Sequence, residues 1–597
     1  MKTACLIFLF ACSSAYSQQY YLRGEVKDEA GNVIPNVTIT HCRTGYIYKT
    51  GSYGSFGIIN SKQTDSLIFT MNGYQKEKAL ADADKYLSIK LKTATTSTTT
   101  VNSRYRLTSF TKNLDIGEQR RWFAGDETYT NIVENQFVDA RKYPITGMSL
   151  NIDRASYSNI RRFINYSSIV PYDAVRIEEM LNYFNFNYDK PENDEMFKIK
   201  TTITSCPWEK EHQLFFVNLS SKKINLDLLP PSNFVFLIDI SGSMDMPNRL
   251  PLLQSAFKLL VNNLRDKDTV SIVTYGSVMS VKLDATSGAE REKIIKAIDE
   301  LTPGGSTPGE SGLRMAYNLA HLHYNKGGNN RIILATDGDF NVGAKKEEDL
   351  ANLVSLHRQS GIYLTCLGVG MGNYKDSKIQ VLAEKGNGNF AYLDNFQEAE
   401  KVLLKEFTQT LYAVADNVYM NVDFNPEYVK EYRLIGFDNK AGALRDTTSV
   451  LEGGEIGSGF SMIAAFEVTP SEINKGAIKD GFMGKKFANI NLQYRYPKDT
   501  VSRHSTFSST FDFIPIDKAD RSYRFAASVV MFGSILRSSA FTKKISWDHI
   551  LKMASASADM DNGIEKEFVE IVQKAKTLYT KNKKKKRLFN FFKRDDQ

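Results

Sequence analysis

From residue 20 to residue 92, apolar and polar side chains alternate with a period of two between closely spaced turns: YYLRGEVKDEAGNVIPNVTIT, GSYGSFGII, DSLIFTMNGYQ and YLSIKLK. That alternation turns one face of each segment to a core and the other to water, so it predicts a small all-β sandwich. Gly24, Gly31, Pro35, Gly54 and Gly73 fall where its turns are expected. TATTSTTTVNS, Thr93 to Ser103, has no apolar period and reads as a linker. Residues 104–147 are polar and patternless. Helical spacing then appears in DRASYSNIRRFIN, with Asp153 as the expected N-cap, and in PYDAVRIEEMLNYF, with Pro171 near its start. Two alternating strands follow, FKIKTTITS and QLFFVNLSS.

From Asn233 the pattern changes. FVFLIDIS, TVSIVTYG, RIILATDG and IYLTCLGVG are uninterrupted apolar runs of the kind that form buried parallel strands. Amphipathic helical stretches separate them, including LPLLQSAFKLLVNNL, AEREKIIKAIDEL, SGLRMAYNLAHLH and LANLVSLHRQS. A short strand, NFAYLD, and a helix from Glu398 to about Leu411 close the unit. This predicts a doubly wound α/β domain with a parallel sheet. Strands return in VYMNVDFN, SMIAAFEVT and FANINLQYRY, and residues 517–580 read as helices. Strands on both sides of the α/β domain suggest that it is inserted in one β-sandwich with a helical frame, the alternative being two separate small β domains. The expected division is a leader at 1–17, the first sandwich at 18–93, a linker at 94–130, helices then strands at 131–230, the α/β domain at 231–413, strands then helices at 414–580, and a tail at 581–597.

Composition narrows the class. The chain has 597 residues, 42% hydrophobic and 24% charged, which suits folded soluble domains rather than disorder, collagen or a polytopic membrane protein. The formal charge of +8 is local: the last 17 residues, from Lys581, carry eight basic and two acidic side chains. The body is close to neutral, so nucleic acid is not an expected partner. The tail is expected either to lie on an anionic membrane surface or to be a solvated, disordered terminus. MKTACLIFLFACSSAYSQQ has a basic start, a short apolar core and small residues before Gln18, so it is expected to be an export signal. Cys12 is the alternative, as a lipidated residue. Either predicts an exported protein of the periplasm, outer membrane or cell surface. The remaining cysteines, Cys42, Cys206 and Cys366, are too few and too scattered for a disulfide framework or a cysteine zinc site.

Candidate chemistry gathers at the predicted carboxyl ends of the buried strands. Asp239-Ile240-Ser241-Gly242-Ser243 follows the first, Gly304-Gly305-Ser306-Thr307-Pro308 lies between two helices, and Thr336-Asp337-Gly338-Asp339 follows the strand RIILA. Together they offer the carboxylates of Asp239 and Asp337 and the hydroxyls of Ser241, Ser243 and Thr307. Such oxygen donors suit a hard dication: Mg²⁺, with Mn²⁺ or Ca²⁺ as alternatives. Two carboxylates and neutral hydroxyls leave the ion able to attract an outside carboxylate. Nucleophilic catalysis lacks support: no Gly-x-Ser-x-Gly elbow occurs, and none of the seven histidines lies in a motif that would supply a base. His321 and His323, two apart on a helix, do not share a face and read as surface or partly packed residues. Gly368-Val-Gly-Met-Gly-Asn departs from the dinucleotide fingerprint at Asn373 and reads as a turn.

Those loops resemble the metal-ion-dependent adhesion site of von Willebrand factor type A domains: Asp-x-Ser-x-Ser, then a Thr, then an Asp. Over roughly residues 130–580 the chain is similar to the bacterial YfbK-type family of such proteins. The resemblance rests on SLNIDRASYSNIRRFIN, DAVRIEEMLNYFNFNY, CPWEKEHQL, NFVFLIDISGSMDMPNRLPLL, PGGSTPGESGLRMAYNLA, NRIILATDGDFNVG, LAEKGNGNFAYLD and FNPEYVKEYRLIGFDN. Phe460 stands where that family is expected to have His. The resemblance implies direct metal contact by Ser241, Ser243 and Thr307, with Asp239 and Asp337 bound through water or switching with ligand state. It implies a non-enzymatic adhesion or scaffold protein that captures an Asp or Glu carboxylate of a protein partner. An envelope assembly or maturation factor is the alternative, and a metal-dependent hydrolase a more distant one. The first sandwich resembles the carboxypeptidase regulatory-like domain of Bacteroidetes-type envelope proteins in GEVKDEAGNVIPNVTI, GSFGI and MNGYQ, with Gly51 where an Asp is usual. That implies an accessory or docking module.

Overall fold

The computed structural model describes residues 20–29, 31–43, 47–51, 54–60, 62–71, 74–92, 106–107, 127, 129, 131–150, 152–186, 188–192, 195–276, 279–305, 309–338, 347–370, 376–438, 454–480, 484–497, 499 and 501–592. The expected leader and Thr-rich linker lie outside them. The chain divides into two compact units, Met1–Ser103 and Arg104–Gln597.

Among its described residues the first unit has seven strands in two sheets. Ser55–Asn60, Tyr20–Asp28 and Leu87–Leu91 form one; Ile47–Lys49, Thr38–His41, Thr64–Thr70 and Glu77–Asp82 form the other. The apolar alternates of the sequence, among them Leu22, Val26, Ile39, Leu67, Phe69 and Leu91, meet in a single core.

The second unit is built on a β-sandwich drawn from both ends of its sequence. One sheet runs Arg503–Thr510, Lys486–Arg495, Ala413–Phe424, Ile145–Ser149, Arg106–Leu107, with Gly454–Gly457 also on Ala413–Phe424. The other runs Phe513–Ile514, Phe197–Ser205, Gln213–Ser221, Ser461–Pro470, Val429–Ile435, Val138–Asp139. Every residue of Gln213–Ser221 is buried. Phe215, Val217 and Leu219 face the sandwich core, while Leu214 and Phe216 face helices Ala155–Asn165, Ile177–Asn182, Arg521–Leu536, Trp547–Ser557 and Gly563–Phe592. The two residue parities of this one strand therefore serve two different cores. One sandwich forms, and the α/β domain is inserted between Gln213–Ser221 and Ala413–Phe424.

Among the described residues the inserted sheet has six strands, in the order Ser280–Ser287, Thr269–Tyr275, Ser232–Asp239, Asn329–Thr336, Ile362–Val369, Phe390–Leu393. All neighbours are parallel except the edge strand Ser280–Ser287, which is antiparallel. Phe234, Phe236 and Ile238 pack against Leu250–Asn262 and the closing helix; Val235 and Leu237 pack against Gly309–Leu322 and its neighbours. A buried pair joins insert to host: Arg331 Nη2 donates to both oxygens of Glu455, at 2.7 and 2.8 Å.

Several local expectations need correction. Asp153 does not cap the Ala155–Asn165 helix, whose N-cap is Arg154 without a side-chain cap bond. Its carboxylate accepts Phe390 N–H at 2.8 Å instead, tying that helix entry to the last strand of the insert. PYDAVRIEEMLNYF is a 3₁₀ turn, Tyr172–Ala174, and a short helix, Ile177–Asn182. The closing helix is α over Phe396–Glu400, π over Lys401–Lys405 and α again over Phe407–Leu411. Arg161 Nη2 holds Glu398 at 2.8 Å and Arg154 holds Glu406 at 2.7 Å, so both halves are pinned from one frame helix and its entry. The final helix, Gly563–Phe592, runs on through Lys581, and residues 593–597 lie outside the described residues. Among the described residues no helix is long and apolar enough to cross a membrane.

Candidate metal centre

Asp239 ends the strand Ser232–Asp239, and Asp337 follows the end of Asn329–Thr336. These two strands pair in parallel, and the strand order reverses between them. The crevice beyond the carboxyl ends of strands at such a reversal is where open α/β sheets bind ligands. Chain direction and strand order thus bring the two aspartates to one point.

Asp239 is 1% exposed. Its Oδ1 accepts Ser241 N–H at 2.9 Å; its Oδ2 accepts the hydroxyls of Tyr275 and Thr336, each at 3.1 Å. Burial pushes its carboxyl up to about 6; those hydrogen bonds oppose the shift and the nearby Asp337 charge adds to it. Ser241 Oγ and Ser243 Oγ stand 3.1 Å apart at the exposed mouth. Gly242 N–H donates to Gly305 C=O at 2.9 Å and Gly304 N–H to Ile240 C=O at 2.7 Å. The Gly304–Gly305 stretch leading to Thr307 is therefore strapped to the Asp239–Ser243 loop. Thr307 and Asp339 themselves lie outside the described residues.

Two contributors escaped the sequence reading. Arg249 Nη1 donates to Asp337 Oδ2 at 2.7 Å, and both residues are buried. Arg249 is the N-cap residue of Leu250–Asn262. A cation there opposes the helix macrodipole, and that misplaced charge was the available signal. Gly276, at φ +150°, is the second: a Cβ on it would sit 2.6 Å from Ile240 C and 2.7 Å from Ser241 N. Only a residue without a side chain lets the strand Thr269–Tyr275 turn under the Ser241 loop.

Among the described residues there is no group of three or more His, Cys, Asp or Glu side chains placed to hold a metal. This edge instead combines two carboxylates with two hydroxyls, an all-oxygen set matched to hard cations.

Three stretches match family models. Residues 124–215 match "von Willebrand factor", 233–408 match "von Willebrand factor type A domain", and 409–578 match "Uncharacterized protein YfbK, C-terminal". YfbK of Escherichia coli (strain K12) is 35% identical over 470 residues, which is 76% of this chain and 81% of that protein. The chain belongs to the YfbK family. In this YfbK-family chain the von Willebrand factor type A domain is the inserted α/β unit, and Asp239 and Asp337 lie at its strand ends. Such domains generally mediate protein–protein interaction or adhesion and often bind a divalent metal. Inter-alpha-trypsin inhibitor heavy chain H2 of Mus musculus is 28% identical over 219 residues, 35% of the YfbK-family chain but only 22% of the heavy chain. Among solved structures, a von Willebrand factor type A protein from Catenulispora acidiphila is 14% identical, with 62% of this chain and 91% of that one covered at a TM-score of 0.38.

Proposed function

We propose that this protein captures a protein partner through a divalent cation, Mg²⁺ first and Mn²⁺ or Ca²⁺ as alternatives. Asp239, Ser241, Ser243, Thr307 and Asp337 would hold the ion, and an Asp or Glu carboxylate of the partner would complete its coordination. The observation that carries the reading is the pair of buried aspartates at the strand-order reversal, with two serine hydroxyls 3.1 Å apart at its mouth. Two hydroxyls at that spacing can be adjacent ligands of one hard cation. Bound there, the cation supplies a positive centre for an outside carboxylate.

The chain's own groups do the rest. Tyr275, Thr336 and the Ser241 amide occupy the Asp239 oxygens and orient its carboxylate, which suits contact with the ion through water. Arg249 balances Asp337. Gly276 and the Gly304–Gly305 strap set the height of the serine loop. The same proposal places the protein outside the cytoplasm, on the composition of its first residues, with its basic end available to an anionic lipid surface.

The test begins with chelator-stripped protein titrated with Mg²⁺ and Mn²⁺ while thermal stability is followed. Wild type should gain about 2.7 kcal/mol at a hundredfold excess over Kd, and Asp239→Ala should gain nothing. With Mn²⁺ bound, an Asp-containing peptide should displace metal-bound water and lower water-proton relaxation. Absence of metal binding by calorimetry at millimolar ion sinks the proposal; metal binding without any response to carboxylate peptides sinks its capture step.

A further inference from the structure

His321 lies near the end of helix Gly309–Leu322 and His357 near the end of helix Glu347–Gln359. Both helices contribute to the same core cluster on one face of the sheet, and His321 Nε2 stands 3.0 Å from His357 Nδ1. Only one proton fits between two imidazole nitrogens at that distance. The His357 ring lies flat on Tyr317, with centroids 4.0 Å apart and planes at 11°, which fixes its plane. Burial first, then the charges of His321 and Arg314, holds His357 down at about 4, so it is neutral and metal-ready at neutral pH. Arg314 is itself paired with Glu310 at 2.9 Å. His321 is exposed and open to solvent.

Imidazole nitrogens bind first-row divalent ions at about 2.0–2.1 Å. The two rings already meet within hydrogen-bond distance, so a small turn of the exposed His321 ring brings both lone pairs onto one ion.

We propose that His321 and His357 form a binding site for a divalent transition-metal ion, Cu²⁺ first. It lies on helices distinct from the Asp239 loop, and its nitrogen donors select ions that the oxygen set there does not. Irving–Williams ordering puts Cu²⁺ first. On binding, the shared proton moves to the far nitrogen of the ring that donated it, so no net proton is released when both rings start neutral. The exposed His321 ring turns its lone pair onto the ion, His357 stays held by Tyr317, and water fills the remaining positions. An ion there ties together the two helices that lead away from the Thr307 and Asp337 loops.

The experiment uses the full chain, free of chelator and of any histidine tag, titrated with Cu²⁺ and Ni²⁺ by calorimetry. The Cu²⁺ adduct is read by electron paramagnetic resonance. One ion per chain with hyperfine structure from two imidazole nitrogens is expected. His321→Gln and His357→Gln should each weaken binding at least tenfold, and Asp239→Ala should leave it unchanged. Because His321 is exposed, His321→Gln tests the site without disturbing the fold. Full affinity in either histidine variant, loss of binding in Asp239→Ala, or no binding at millimolar ion overturns the proposal.

Discussion

Arg249 and Asp337, distant in sequence, form a buried ion pair across 2.7 Å at the mouth of the strand-order reversal. Without a bound cation, this guanidinium is what balances one of two neighbouring buried carboxylates. Arg249→Ala should therefore cost the metal-free protein about 3–5 kcal/mol, the usual penalty for stranding a buried charge. The same variant should gain more from Mg²⁺ than wild type does, because the ion then replaces the lost charge. Melting curves with chelator and with Mg²⁺ check both; an unchanged metal-free melting temperature contradicts the role.

Gly276 supports the serine loop through close backbone approach. Gly276→Ala places a methyl 2.6–2.8 Å from Ile240 and Ser241 backbone atoms. The loop must shift, at a cost of about 1–3 kcal/mol, and Ser241 moves away from Ser243. Calorimetric Mg²⁺ affinity should fall while the circular dichroism spectrum stays that of wild type. Retained affinity would show that the loop relaxes without losing its geometry.

Arg331 and Glu455 lock the inserted sheet to its host. Arg331 is 0% exposed, and it donates to both oxygens of Glu455. Arg331→Met and Glu455→Leu should each destabilise by about 3–5 kcal/mol, whereas the two together should be close to neutral. Urea denaturation of the two singles and the double measures the coupling. A double variant as unstable as the singles would mean that shape, not charge, holds the junction.

Glu178 adds a pH dependence. Burial, with the charges of Asp438 and Glu179 beside it and against the pull of Arg537, raises its carboxyl to about 7. A carboxyl raised above its unfolded value near 4.5 contributes stability below that value and loses it as pH rises through about 7. Glu178→Gln should remove a loss of roughly 1–3 kcal/mol between pH 4.5 and 8. Denaturation midpoints at pH 5 and pH 8 decide it: the wild-type difference should shrink in the variant, and an unchanged difference assigns the slope to other groups.

Much of the architecture is legible in the sequence. FKIKTTITS and QLFFVNLSS are strands with the expected bounds, Phe197–Ser205 and Gln213–Ser221. Buried parallel strands announce themselves as unbroken apolar runs because both faces are covered. Ser280–Ser287 did not, because it is an edge strand, largely solvated and rich in polar residues. Asp153 misled for a related reason: a carboxylate before a helix has a local use as a cap, yet here a strand far along the chain presents Phe390 N–H to it.

The sequence by itself determined the element types, the α/β character of the central domain and the acidic and hydroxyl residues at its strand ends. Those follow from periodicity and local chemistry, which act over a few residues. Tertiary structure alone decided that both halves of the sandwich pair around the insert, that Arg249 reaches Asp337, and that His321 meets His357. Each depends on packing between segments distant along the chain, and no local pattern carries the position or orientation at which two such segments meet.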